Sequence, residues 1–348
     1  MWYSRAPVRA LLFIVAAAGA VVVATPCPAG AQTVIRMATP VPEGTLWARQ
    51  IRLFQQRVEH ATDGQVRFKI YYGSIAGDEA QVADRIKREQ LDGAFSGGQL
   101  CMRAAPSMRV MRVLGLFQGR AELNYVLGRL KPIIDEEFRK SGFVNLGLVG
   151  VGPELIFSRK PVGTLAEIKA TRLWTWGSDN TLAPGLDGVG FSTVRADLGE
   201  AGKLYDEGKV DGFVAAPAAA LAFQWSARTR YLLPLRLASL DACIIIANRT
   251  FDPLPDQYKS VIRNEAAYVA NHCEELGREQ DDQLLGGLFA KQGLTILPLK
   301  QETRAQFFSE ARALRDKMSG TLIPAELLDR VLALLADYRA EHRDIEGQ

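Results

Sequence analysis

Residues 34–71, VIRMATPVPEGTLWARQIRLFQQRVEHATDGQVRFKIY, decide the fold. Val34 to Ala38 is a short apolar run that reads as a strand. Pro40 to Gly44 then turn the chain, and from Leu46 to His60 the apolar residues Leu46, Ile51, Phe54 and Val58 recur at helical spacing. Asp63-Gly64 ends that helix, and Val66 to Tyr71 alternates apolar and polar side chains as a half-buried strand does. A loop from Gly73 to Gly77 leads into a second helix, Glu79 to Arg88, and Leu91 to Ser96 gives a third strand.

The alternation continues outward from this start. A helix is expected near Arg120 to Ser141, and a glycine-rich strand over Val144 to Val151. In the second half Arg172 to Trp176 reads as a strand, Asp197 to Glu207 as a helix and Val210 to Ala215 as another strand, without any internal sequence repeat. This order predicts an α/β protein with a mainly parallel sheet and helices on both faces. From Pro255 to about Lys291 runs a long helical pattern with Tyr258, Ile262, Ala266, Val269, Cys273 and Leu276 on one face. At ~1.5 Å per residue it reaches roughly 50 Å, enough to span two domains. After Pro324 a last helix places Leu327, Val331, Leu334 and Tyr338 on one side, a core-facing or lobe-covering stripe that also offers a homodimer contact.

The chain has 348 residues, 48% hydrophobic and 23% charged, with a formal net charge of +3. That is an ordinary globular composition with mild charge, and basic residues alternate with acids (Asp84-Arg85, Lys87-Arg88-Glu89), so no stripe for nucleic acid is present. Residues 1–31 read as a cleaved secretory signal: Arg5 and Arg9 lead an apolar stretch from Leu11 to Val23, and Ala29-Gly30-Ala31 forms the cleavage site. Cys27 leaves with it. The remaining three hundred or so residues suggest about two domains of roughly 150 residues. Cys101, Cys243 and Cys273 allow at most one bridge; Cys243, in the apolar run Ala242 to Ala247, and Cys273, on a helix face, read as buried free thiols.

No catalytic or cofactor motif is found. His60, His272 and His342 have no ligand-spaced companions, so no metal site is expected. Gly147, Gly150 and Gly152 follow a strand but lack the order of a dinucleotide loop, and there is no nucleophile elbow or P-loop. Acidic neighbours such as Asp78-Glu79 and Asp281-Asp282 read as solvated helix caps. A secreted hydrolase would need a nucleophile and base for which the chain offers no set, so neither catalysis nor a cofactor is expected.

Four stretches, in order and spacing, resemble the substrate-binding proteins of tripartite ATP-independent periplasmic (TRAP) transporters, over nearly all of the mature chain. They are Met37-Ala38-Thr39-Pro40 with Gly64-Gln65-Val66; Gly77-Asp78-Glu79 followed by Gln90-Leu91-Asp92-Gly93-Ala94; Ser158 to Val162 with Leu165 to Arg172; and Leu204 to Gly212, with the long helix beginning at Leu254-Pro255. The resemblance implies two lobes, each with a mixed sheet flanked by helices, joined by hinge strands near Val151 and Leu240 and by the helix spanning 255–291. Lobe I would comprise 32–151 with 240–282, lobe II 152–239 with 283–330, and 331–348 the C-terminal helix and tail. It further implies capture of a small organic acid, delivery to integral-membrane subunits, and no use of ATP. A sensory receptor of the same fold is the alternative.

The resemblance assigns Arg172 as the carboxylate-binding arginine, a planar guanidinium suited to a two-point grip. It leaves Glu154 where many members carry a second arginine, Phe213-Val214-Ala215-Ala216-Pro217 in place of Glu-Asn-Pro, and Gly97 where a glutamate is common; Glu79 keeps its acid. Trp174 and Trp176 alternate along one strand and read equally as a stacking wall or as core. Arg172, Trp174, Trp176, Glu154, Glu79, Thr39, Thr175, Phe213 and Ala216 are the candidate ligand contacts. One arginine, one glutamate and an aromatic neighbourhood favour a monocarboxylate with an apolar or amine-bearing body.

Overall fold

The computed structural model describes residues 1–2 and 32–342, so the export signal expected over 1–31 lies, but for its first residues, outside the described residues, as does the end of the tail. The opening stretch folds as it reads. Strand β1 (Thr33–Ala38) leads through the helix Leu46–Ala61 to β2 (Val66–Tyr71), and the helix Glu79–Lys87 leads to β3 (Gly93–Ser96). The Thr45 hydroxyl accepts the Ala48 N–H and so starts the first helix, which buries Ala48, Ile51, Phe54 and Val58. β1 lies between β2 and β3 and parallel to both.

The next strand, β4 (Phe143–Ser158), runs well past Val151. It is followed by β5 (Arg172–Trp176), β6 (Ser192–Ala196), β7 (Gly212–Ala215), the long β8 (Tyr231–Ala247) and the short β9 (Thr295–Ile296). β4 carries the chain from the first lobe into the second and β8 brings it back, so the two pair antiparallel along most of their length. They make one continuous sheet of order β2-β1-β3-β8-β4-β7-β5-β6, with β9 on β8. This is why the sheet is mixed and not mainly parallel: β5 lies parallel to β6 and β7, but the crossing strands must run in opposite directions.

Each lobe buries an apolar layer on both faces of its half-sheet. In lobe I these layers centre on Leu130, Ile134 and Phe138 on one side and on Phe54, Ile262 and Val269 on the other. In lobe II they centre on Leu186, Leu235 and Phe307 and on Phe157, Phe213 and Phe289. Where the lobes meet only Val151, Ala216 and Ala219 form a small fifth group. The pairing of β4 with β8 slips there, between Gly150 and Gly152 and again between Glu154 and Ile156. Gly152 has φ +145°, and a Cβ on it would stand 2.7 Å from the Asp281 carboxylate, so both backbone and space require glycine.

The long helix is Asp256–Gln283, followed by a wider turn over Leu284–Leu288 in which Gly287 leaves helical geometry. It buries Ile262, Ala266, Val269 and Cys273 and brings Asp281 to the crossing strands, where the carboxylate accepts the Ala218 N–H at 3.0 Å. The helix Ala325–Glu341 turns Leu328, Val331 and Leu335 into the core of lobe I, while Leu327, Leu334 and Tyr338 of the expected stripe are only half-buried, so the buried face is rotated about one residue from the expected one.

The cysteines depart from expectation. Cys101 and Cys243 form a disulfide, and among the described residues Cys273 is the free thiol, buried as expected. The reason is register: Ser96 of β3 pairs with Cys243 of β8, which sets Cys243 beside the helix Gln99–Ala104 that carries Cys101, although 142 residues separate the two.

Candidate ligand-binding site

Two adjoining cavities lie between the lobes and share Trp176, Ala219, Phe223 and Leu240. The larger, about 100 Å³, is walled by Trp47, Ile51, Phe95, Val149, Val151 and other apolar side chains, with Cys273 among them. The smaller, about 40 Å³, holds the polar groups: Arg112, Glu154, Trp174 and Thr175, beside Ala215, Ala216 and Trp225. β5 places this wall. It ends at the cleft, so Trp174, Thr175 and Trp176 reach the cavity from the strand's carboxyl end, where parallel strands present ligand groups.

The same geometry removes Arg172. It is the first residue of β5, at the far end of the strand, with an exposed side chain bound to Asp211 through Nε at 2.8 Å and Nη2 at 2.9 Å. Four residues of strand put it ~13 Å from Trp176. It is a surface ion pair and lines neither cavity. Phe213 is likewise not wall but core, fully buried and stacked with Tyr205 and Trp225. Thr39 is buried beside the wall, its hydroxyl accepting the Val41 N–H at 3.3 Å, while its neighbours Pro40 and Val41 line the larger cavity. Glu79 is buried and fully engaged, accepting from Ser96 Oγ at 2.9 Å and from the N–H groups of Leu100, at 2.8 Å, and Gly97. Trp174, Thr175, Trp176, Glu154 and Ala216 are brought together.

The arginine of the cavity is Arg112, which the sequence reading passed over. It ends the 3₁₀ turn Pro106–Arg112 on lobe I and is 3% exposed, with two carboxylates on its guanidinium: Glu154 of β4, and Asp179 of lobe II, reached from Nε at 3.2 Å. The signal existed in the sequence. Arg112 interrupts the apolar run from Val110 to Phe117, where a buried guanidinium is costly unless paired. Asp179 fixes the arrangement by also accepting the N–H groups of Thr181 and Leu182, at 2.8 and 2.7 Å.

The two acids are unequal. Burial pushes both up, but Arg112 and the backbone donors hold Asp179 below the usual carboxylate range. Glu154, with fewer donors, is lifted by burial to about 7 even beside Arg112. Asp179 is therefore the resident counter-ion, and Glu154 is the group that exchanges a proton near neutrality. Two further polar atoms in this wall, the Trp174 indole Nε1 and the Thr175 hydroxyl, have no hydrogen-bond partner among the described residues, although both residues are only 2% exposed.

Trp176 crosses the cleft. Its Nε1 donates to the Asp78 carboxylate, 2.9 and 3.1 Å from the two oxygens, and its ring packs over Gly97. A Cβ on Gly97 would stand 3.1 Å from that ring and 3.2 Å from Pro40, so the missing side chain in lobe I is the space that the indole of lobe II fills.

Two lobes on crossing strands, with an apolar cavity between them and a paired arginine in the cavity that adjoins it, have the architecture of a solute receptor. The chain belongs to the DctP family, bacterial extracellular solute-binding protein family 7, which it matches over residues 37–321. A curated solute-binding protein of Sulfitobacter sp. (strain NAS-14.1) is 22% identical over 320 residues, covering 90% of this chain and 96% of the relative. Among solved structures, the sugar acid binding protein DctPAm of Advenella mimigardefordensis, in complex with galactonate, superposes with a TM-score of 0.81 at 16% identity, covering 88% of this chain and 98% of the other. DctP7 of Bordetella pertussis, an extracytoplasmic solute receptor binding pyroglutamic acid, gives 0.79 at 17% identity, covering 87% and 99%. A TRAP periplasmic solute-binding protein of Desulfovibrio salexigens with bound orotic acid gives 0.78 at 18%, covering 88% and 99%. No helix among the described residues is long and apolar enough to cross a membrane.

Proposed function

We propose that the mature chain, freed of residues 1–31 on export to the periplasm, is the solute-binding subunit of a TRAP-type secondary transporter. It takes up a small monocarboxylate with an apolar or amine-bearing body and presents it to integral-membrane subunits. The observation that carries the solute class is the composition of the cavity: aromatic and aliphatic walls, with donors gathered at one end only. The apolar body lies against Trp47, Phe223 and Trp176. The acid group meets Arg112, the Trp174 indole N–H and the Thr175 hydroxyl, groups that suit an acceptor-rich head. Small acids bound by structurally similar receptors, galactonate, pyroglutamic acid and orotic acid, agree with an acid head.

Charge bears on the body. Arg112 with Glu154 and Asp179 already carries one excess carboxylate, so a carboxylate head enters with a proton on Glu154, or an amine on the solute faces that acid. Mass spectrometry of the purified mature protein identifies any co-purified solute. A thermal-shift panel then compares hexanoate, phenylacetate and the amine-bearing leucine with succinate and galactonate. Apolar or amine-bearing monocarboxylates should stabilise the fold by about 2–3 kcal/mol at a hundredfold excess over Kd. Stabilisation by succinate or galactonate alone would overturn the solute class. Cys273 supplies a second readout, since a bound solute should slow its modification by a small thiol reagent.

A further inference from the structure

A separate cavity of about 250 Å³ opens between the lobes on the other side of Asp179. Arg103, Arg109 and Gln99 of lobe I and Ser178, Asn180 and Thr181 of lobe II form its wall, and Gln99 donates to Asp179 at 3.4 Å, linking it to the Arg112 cluster. Arg103 is exposed and Arg109 half-buried, and neither guanidinium has a hydrogen-bond or ion-pair partner among the described residues. Comparable arginines at the margins of the core are paired: Arg36 with Asp92, and Arg120 with Asp281. The Ser178 hydroxyl is buried and also without a partner. The one acid in the wall is Glu79, whose carboxylate is taken up by Ser96, Gly97 and Leu100.

Two unpaired positive charges thus face one void in which Glu79, the acid of its wall among the described residues, is spoken for. We propose that this outer cavity binds a small oxyanion, held by Arg103 and Arg109 of one lobe against the wall of Ser178, Asn180 and Thr181 of the other. An occupant of this kind ties the lobes together from outside the solute cavity and favours the closed form. By linkage it tightens the hold on whatever the inner cavity carries, and to the same factor in each direction. The anion's chemistry is that of phosphate, sulfate or a carboxylate group; inorganic phosphate is the probe.

Phosphate titrations followed by calorimetry in low-salt buffer compare the wild-type mature protein with Arg103→Gln, Arg109→Gln and the double variant. Arg88→Gln, an exposed arginine outside the cavity, is the control. We expect saturable binding to the wild type, weakened about tenfold by each cavity arginine lost, as for a charge-assisted contact, and unchanged in the control. Thermal unfolding without phosphate confirms that the variants fold. Absence of saturable binding to the wild type, binding that survives in the double variant, or equal loss in Arg88→Gln would each overturn the site. Small-angle scattering reads the coupling: phosphate should reduce the radius of gyration of the wild type and not of the double variant. Binding without that change would overturn the tie between lobes.

Discussion

Arg112 and Arg172 show how differently one residue type behaves at two depths. At Arg112 burial opposes the charge, yet Glu154 and Asp179 outweigh it and hold the guanidinium protonated well above its usual range. Removing it strands two buried carboxylates, so Arg112→Met should lower stability by about 3–5 kcal/mol at pH 8 and by less at pH 5, where Glu154 carries its own proton. Urea unfolding at the two pH values checks this. Arg172→Ala breaks an exposed, solvent-screened pair and should leave both the urea midpoint and the affinity for a bound acid, read by calorimetry, essentially unaltered. Gly97 is the third telling position. Gly97→Val would press on the Trp176 ring and Pro40, and should weaken solute binding at least tenfold while the fold persists; unaltered affinity would show that Trp176 need not sit over Gly97 when a solute is bound.

Among the elements, the crossing strands concentrate the unusual groups. Asp241 of β8 lies opposite Gly150 and is buried, with neither carboxylate oxygen hydrogen-bonded among the described residues. Burial lifts it to about 7, with Arg112 and Arg120 pulling down and Glu274 and Glu154 pushing up. Asp241→Asn should therefore stabilise the protein at pH 8 by about 1–3 kcal/mol, with little effect at pH 5. The helix Gln99–Ala104 is tied to the same strand by the Cys101–Cys243 bond. Closing a loop this long constrains the unfolded chain strongly, so reduction should lower the unfolding free energy by about 2–4 kcal/mol, read as a shift in the urea midpoint with and without reductant.

At the scale of the molecule, buried acids set the pH dependence. Burial raises Glu79, Glu154 and Asp241 to about 7 and Asp281 to about 6. Each carboxyl binds its proton more tightly when folded than unfolded. Its stabilising contribution is complete below the ordinary carboxylate range and is lost as pH rises to about 7. Every tenfold gain in proton affinity on folding is worth ~1.4 kcal/mol, so global stability should fall by at least about 2 kcal/mol between pH 5 and pH 8. Asp92 and Asp179, held low, act in the opposite sense only at more acid pH. A melting temperature that rises from pH 5 to pH 8 would contradict this account.

The sequence by itself determined the α/β alternation, the long helix and the family, because these rest on local periodicity and on motifs a few residues long. Leu46, Ile51, Phe54 and Val58 point one way in any context that buries a helix face. Val66 to Tyr71 likewise alternates before any partner strand is known. In the candidate site Trp174, Trp176, Glu154 and Ala216 were named from positions that flank those motifs or depart from the family's pattern. Tertiary structure alone decided which arginine is inside. Arg172 and Trp176 are neighbours in sequence yet stand at opposite ends of a strand whose direction sets which end meets the cleft. Arg112 meets Asp179 only after β4 has carried the chain into the second lobe and β8 has brought it back. The same crossing strands place Cys101 beside Cys243 and the Trp176 indole over Gly97. Those contacts join residues far apart in the chain, and their geometry is fixed by sheet register, which no local pattern encodes.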